Sequence, residues 1–184
     1  SQRMFGNYTL GWDYDIDKKN SLAASVRFGT RSGKSYQDDL LTQLYSNDIL
    51  SSSNLRNSYT NDLNNSVDVN LTYTRLYDKP QREFSLLALY SKNNRNNDFE
   101  NRTLEVDGAE FLEGYKNLND SYNQEITIQA DYQTPIGTNQ LIEFGGKDIM
   151  RKAFSDYSYF VDDDGDGSYV PTSNTQLTNN LNYD

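Results

Sequence analysis

The chain has 184 residues, a net charge of −10 and a pI near 4.4, and its length is sufficient for one domain. This charge excludes a typical nucleic-acid-binding protein, because a phosphate backbone favours Lys and Arg clusters and the longest basic run is Lys18-Lys19. The absence of Cys and His excludes disulfides, thiolate chemistry and His-based catalysis, and it removes the commonest zinc ligand.

The first predicted strand covers about residues 4–16 and alternates strictly between apolar and polar side chains. Tyr8, Leu10 and Trp12 fall on one face, whereas Thr9, Gly11 and Asp13 fall on the other. Such a strand lies between an apolar phase and water. The apolar phase can be a protein core or a lipid bilayer. Aromatic residues make up 13% of the chain, which argues against disorder.

Five further strands follow with the same alternation, separated by polar segments. A turn near 17–20 precedes strand two, which begins at Ser21 and extends towards Tyr45, and a polar loop follows near 46–62. Strand three covers 66–74, a turn with Pro80 lies near 77–82, and strand four covers 83–90. The next long loop spans 92–121, and its Phe111, Leu112 and Tyr115 predict a packed excursion or a short helix.

Strand five covers residues 124–132 and is followed by a turn near 134–140. Strand six begins near Gln140 and extends through Phe160, and a third polar loop covers 161–182. Short turns therefore follow strands one, three and five, and long loops follow strands two, four and six. This segregation is typical of an outer-membrane barrel, and each alternating segment is close to the ~9–11 residues that a tilted membrane strand needs. We predict an all-β, antiparallel up-and-down meander that forms part of a transmembrane β-barrel.

Two segments resemble a known family. The strand–turn–strand run Gly11–Ser25 is similar to the barrels of TonB-dependent outer-membrane receptors, as are the turn at 133–137 and the strand start at 141–147. The likeness is strongest to the outer-membrane β-barrel family found beside such receptors. It implies a 22-strand barrel that lies in the outer membrane of a Gram-negative cell, holds an N-terminal plug and takes up a ligand with energy from TonB.

We therefore expect residues 1–184 to be a partial outer-membrane barrel domain of about six strands. The plug domain and the remaining barrel strands would lie outside this sequence. The expected partners are outer-membrane lipid and, by resemblance, TonB. Tyr and Trp residues lie on the same strand faces as the alternating aliphatic residues. This pattern predicts aromatic girdles at the membrane interfaces, formed by Trp12, Tyr14, Tyr73, Tyr90 and Tyr132.

The alternation assigns side chains to the two faces of the predicted barrel wall. The predicted lipid-facing residues are Leu10, Trp12, Val26, Phe28, Val69, Leu71, Ile126 and Ile128. The predicted lumen-facing residues are Asp13, Arg27, Asp68, Asn70, Gln129 and Asp131. Because all backbone groups must be paired within the hydrocarbon region, six strands cannot span the membrane alone.

An acidic segment near the end of the chain matches the opening of a calcium-binding loop. Asp162, Asp164 and Asp166 provide alternate carboxylates before Gly167, and these residues are the candidate metal ligands. However, the twelfth position holds Ser173 in place of the expected bidentate acid. A solvated acidic turn is therefore the favoured interpretation, and no other cofactor is predicted.

Paired acids such as Glu143 and Asp148 could in principle act as an acid and a base, but no nucleophile context accompanies them. We therefore expect the chain not to be an enzyme. The alternative to a membrane barrel is a soluble, secreted β-sandwich or meander that binds carbohydrate or protein through its long loops, with or without stabilisation by calcium.

Overall fold

The computed structural model describes residues 1–108, 110–137 and 139–172 with their side chains, and it also describes the backbone of residues 179–183. Eight strands form one sheet. They are β1 (Gln2–Asp15), β2 (Asn20–Ser46), β3 (Ile49–Leu76), β4 (Glu83–Glu105), β5 (Phe111–Ile136), β6 (Gln140–Asp162), β7 (Val170–Pro171) and β8 (Asn179–Tyr183).

The sheet is an antiparallel up-and-down meander in which β1 to β6 pair in chain order. The short strands β7 and β8 both pair with the outer edge of β6. Among the described residues, each strand contacts only the strands with which it pairs, so this part of the sheet is a single open layer. The predicted all-β, antiparallel class is confirmed. In the part of the chain that the structure describes, no helix is long and apolar enough to cross a membrane.

Neighbouring turns at one end of the sheet are tied together. The Asp17 carboxylate accepts hydrogen bonds from the backbone N–H groups of Lys19 (2.7 Å) and Asn20 (2.9 Å), which closes the β1–β2 turn. The Lys19 backbone hydrogen bond, together with the Asn20 side chain, lowers the pKa of Asp17 below its usual value. Lys19 also pairs with Asp78 in the β3–β4 turn. These contacts fix the relative positions of adjacent hairpins at this end.

At the opposite end, the predicted long loops are wrong for most of their length. Within 46–62, only Asn47 and Asp48 leave the β ladder, with φ values of 50° and 64°. Two left-handed residues are the requirement of a type I′ hairpin turn. Within 92–121, the strands continue up to Glu105 and resume at Phe111, so the expected helix near Leu112 and Tyr115 is a strand.

The polar residues of these extensions form strands because their side chains hydrogen-bond across the sheet. Asn93 donates to the Asn64 side chain at 3.1 Å, and Asn97 donates to the Asp62 carboxylate at 2.5 Å. Such cross-strand pairs offset the low strand preference of Asn. In the third predicted loop, 161–182, residues 163–169 connect β6 to β7, and residues 173–178 lie outside the described residues.

The sheet has no hydrophobic core among the side chains that the structure describes: no apolar side chain is buried there. Many large apolar side chains are instead exposed, including Leu10 (76%), Trp12 (53%) and Phe28 (55%). A β-sandwich needs two packed sheets with interdigitated apolar side chains. The alternative prediction of a soluble sandwich is therefore wrong for this architecture.

Candidate functional site

The strand register places the predicted apolar residues in rows that cross the whole sheet. Directly opposed residues of an antiparallel pair share a face, and one such row runs from Leu10 through Val26 and Val69 to Ile126. The adjacent rows of the same face contain the other four predicted lipid-facing residues: Trp12, Phe28, Leu71 and Ile128. We call this surface the apolar face.

The six predicted lumen-facing residues all lie on the opposite surface, which we call the polar face. They are Asp13, Arg27, Asp68, Asn70, Gln129 and Asp131. Arg27 donates to Asp68 through Nε (3.0 Å) and Nη2 (2.9 Å), and the Ser91 hydroxyl donates to the same carboxylate at 2.7 Å. On the same row, Arg151 Nε donates to Glu125 at 2.6 Å. Charges on this row are therefore matched within the sheet.

Aromatic and basic side chains border the apolar face near the short turns. The ring of Tyr77 meets that of Tyr132 edge-on, with centroids 6.2 Å apart, and the Arg82 guanidinium lies 4.6 Å from the Tyr77 centroid. Tyr132 also packs against Phe144 at 5.3 Å. Aromatic rings with adjacent cations are favoured where hydrocarbon meets lipid headgroups.

A second aromatic border lies towards the other end of the strands. Tyr122 stacks on Phe154 with centroids 5.4 Å apart, and the Lys92 ammonium lies 5.1 Å from the Tyr122 centroid. Between the two borders, the apolar face occupies about eight residues of each strand, or ~26 Å at ~3.3 Å per residue. From Tyr122 to Tyr132 of the two borders, β5 extends over ten residues, or ~33 Å, and a strand tilt of ~40° reduces this length to the ~25 Å of the apolar band of a membrane barrel.

The strands are far longer than this band. At ~3.3 Å per residue, the 27 residues of β2 span ~90 Å, compared with a hydrocarbon thickness of ~30 Å. The excess lies on the side of the Asn47-Asp48 turn. The sheet thus has a short apolar part next to the tight turns and a long polar extension beyond it.

Several residues depart from the division between the faces, among them Asp148, Leu87 and Leu89. Asp148 lies on the apolar face of β6, directly opposite Ile128. Leu87 and Leu89 lie on the polar face of β4, and Ile149 lies on the polar face of β6. Their positions mark places where a neighbour other than lipid or water would be favourable.

The acidic loop 162–167 brings its candidate metal ligands together. One carboxylate oxygen from each of Asp162, Asp164 and Asp166 lies within 4.8 Å of the others. Asp162 is buried, with 1% of its surface exposed, and its two oxygens accept the backbone N–H groups of Gly165 (2.9 Å) and Gly167 (2.8 Å). The loop therefore has an internal acceptor that satisfies its backbone. A solvated acidic turn stays the prediction for this loop, with calcium binding as the alternative.

The comparisons with known proteins point to one family. The model of the outer membrane protein beta-barrel family matches residues 75–184, which is more than half of the chain. No curated protein and no solved structure gives a significant match. The matched region begins near the end of β3 and includes all of β4, β5 and β6.

Proposed function

The chain belongs to the outer membrane protein β-barrel family and is located in the cell outer membrane, and from this premise we propose that it is a wall segment of a TonB-dependent receptor. In this proposal the barrel takes up a ligand or forms part of a larger outer-membrane complex, and its role is not catalytic. The apolar face contacts lipid, and the polar face lines the lumen. The carrying observation is a single-layer sheet in which every apolar side chain that the structure describes is exposed or only half-buried.

The open edges of the sheet support a larger barrel. Among the described residues, no strand pairs with the outer edge of β1, and the partners of the outer edge of β6 reach only residues 153–157 and 160–161. Residues 140–152 of β6, which include most of the part of the apolar face on this strand, therefore have no described partner on the outer edge. Unpaired backbone groups are costly in hydrocarbon, so further strands are needed at both edges to close the wall.

The composition of the polar face supports a lumen that contains both water and protein. The Arg27–Asp68 and Arg151–Glu125 pairs are largely exposed, which suits an aqueous interior. Leu87 and Leu89 provide an apolar area on the same face, and a plug domain would cover these two side chains favourably while water still reaches the strands on either side of β4. TonB coupling acts through such a plug in this proposal.

Single-cysteine labelling of the full-length protein tests the assignment of the faces. Residues 1–184 contain no Cys, so they contribute no background to the maleimide labelling. In outer-membrane vesicles, a membrane-impermeant maleimide should label Asn70→Cys and Gln129→Cys but not Val69→Cys or Ile128→Cys. A bilayer-soluble maleimide should give the reverse preference.

The paired positions are matched because Asn70 and Val69 are neighbours on β3 and differ only in the face they occupy. Equal labelling of both by the impermeant reagent would overturn the lipid assignment. Retention of the purified full-length protein by immobilised TonB tests the receptor part separately. A correctly labelled barrel that TonB does not retain would leave the wall segment intact and refute the receptor role.

A further inference from the structure

Three arginines gather on the polar face just beyond the apolar band. Arg31 and Arg95 lie on one cross-strand row, with Asn64 between them, and Arg3 lies one row further along on β1. We call Arg3, Arg31 and Arg95 the basic cluster. Strands are ~4.8 Å apart, so the backbones at Arg31 and Arg95 are ~10 Å apart.

The basic cluster lines a concave region of about 350 Å³. Gly33 pairs with Arg3 and forms part of the floor, and a Cβ atom at Gly33 would meet nothing within 4 Å. The other polar groups around the cavity are Lys34, Ser35, Thr60, Asp62 and Asn64. The side chains thus leave space between the guanidinium groups.

The charge of this cavity is unbalanced, in contrast to the rows below it. Asp62 is the one acid that lines it, and its Oδ1 atom already binds Arg95 at 3.3 Å and Asn97 at 2.5 Å. Within the described residues, Arg3 and Arg31 have no acidic partner, although both are exposed. Arg27, two rows nearer the short turns than Arg31 on β2, binds Asp68 through two nitrogens. The chain has a net charge of −10, so this local excess of positive charge is unusual in it. An anion from outside the chain would neutralise the unpaired guanidinium groups.

We propose that the basic cluster is an anion-binding site on the lumen wall, at the start of the polar extension. Its ligand is a small solute that carries at least two carboxylate or phosphate groups. Each guanidinium presents parallel N–H donors that match the two oxygens of such a group. A dianion can contact the guanidinium groups of Arg3 and Arg31 at the same time, whereas a monoanion contacts only one of them. The site should therefore bind dianions more tightly than monoanions. The inference rests on the proposed function, because it takes the polar face as the lumen.

Calorimetric titration of the full-length protein in detergent tests this site, with citrate and pyrophosphate as probes and acetate as the monoanion control. Citrate or pyrophosphate should bind with measurable heat, and acetate should bind at least ~10-fold more weakly because it engages one guanidinium. Arg3→Gln and Arg31→Gln should each weaken binding ~10-fold or more. High ionic strength should weaken binding further.

Arg56→Gln is the matched control. Arg56 is also an exposed arginine of the polar face, but it lies eight residues from Asn64 along β3, or ~27 Å. The control variant should bind citrate like the unsubstituted protein. Equal weakening by Arg56→Gln and Arg31→Gln would indicate a diffuse field in place of a site and would overturn the proposal.

Two further outcomes would also refute the site. One is the absence of dianion binding to a protein whose cysteine-labelling pattern matches the proposed barrel, which would leave the barrel assignment intact. The other is an Arg31→Gln variant that binds citrate normally but unfolds more readily, because the arginines would then pair with a carboxylate of the protein itself. A labelling pattern that contradicts the barrel refutes the proposed function instead.

Discussion

Substitution of Leu71 by Arg tests the bilayer assignment quantitatively. Leu71 lies on the central strand β3, in the row of Trp12 and Ile128, near the middle of the apolar band. An Arg at the bilayer midplane on the lipid face of a barrel costs ~2–4 kcal/mol. Since ~1.4 kcal/mol is a factor of ten, the folded-to-unfolded ratio should fall roughly 30- to 800-fold.

Asn70→Arg provides the matched control at the same depth. Asn70 is on the polar face, two residues from Asp68, and accepts a hydrogen bond from the Thr72 hydroxyl at 3.2 Å. A new guanidinium there is solvated and near a carboxylate. We expect a change in the free energy of unfolding within ~0.5 kcal/mol, as for most surface substitutions.

The Leu71→Phe variant tests whether the side chain at position 71 contacts lipid or the interior of a protein. Lipid chains rearrange around a larger side chain, whereas overpacking of a protein interior costs ~1–3 kcal/mol. We therefore expect Leu71→Phe to be tolerated.

The assay for all three variants is urea unfolding of the full-length protein in lipid vesicles, followed by Trp fluorescence and by gel mobility with and without heating. If Asn70→Arg destabilises the barrel as much as Leu71→Arg, the assignment of the two faces is refuted.

Two further predictions concern the ends of the sheet. Asp162→Ala should accelerate hydrogen exchange at Gly165 and Gly167, because loss of charge-assisted acceptors weakens the loop by about 2–3 kcal/mol, whereas Asp163→Ala should not. Millimolar calcium should leave this exchange unchanged, and protection by calcium would instead establish a metal site. Asp17 has a lowered pKa in the folded state, so its contribution is complete above the unfolded value near 3.8 and is lost as the pH falls through the folded value. Thermal unfolding measured from neutral pH down to about 3 should therefore show a smaller loss of stability for Asp17→Asn, and an unchanged pH profile would contradict this role of Asp17.

The sequence predicts the apolar part of the sheet well because the bilayer imposes a period of two on it. Residues such as Leu10, Val26 and Ile126 alternate with polar residues, and this pattern alone assigns the correct shared face. The turn near 77–82 follows from Pro80, which cannot continue a ladder. In these segments, local pattern and global fold agree.

On β3, β4 and β5 the polar extension is not predicted, because no regular alternation of apolar and polar residues marks it there. Outside the bilayer both faces are wet, so residues such as Asn93 and Asn97 read as a loop. Two hairpin signals were nevertheless available in the sequence. Asn47-Asp48 tolerates the two left-handed positions of a type I′ turn, and Asp107-Gly108 provides a Gly with a φ of 71°. Both dipeptides lie within the segments that the sequence indicates as long loops, 46–62 and 92–121.

The basic cluster depends on the register of the polar extension and is therefore invisible in the sequence. Arg31 and Arg95 are 64 positions apart, and they share a row only because β2, β3 and β4 stay aligned beyond the band. A slip of one residue in β4 would move Arg95 to the other face and leave Asp62 beside a different neighbour. The cross-strand bonds from Asn93 to Asn64 and from Asn97 to Asp62 flank Arg95 and fix that register. Asn93 and Asn97, which favour a loop in the sequence, therefore position Arg95 of the proposed anion site.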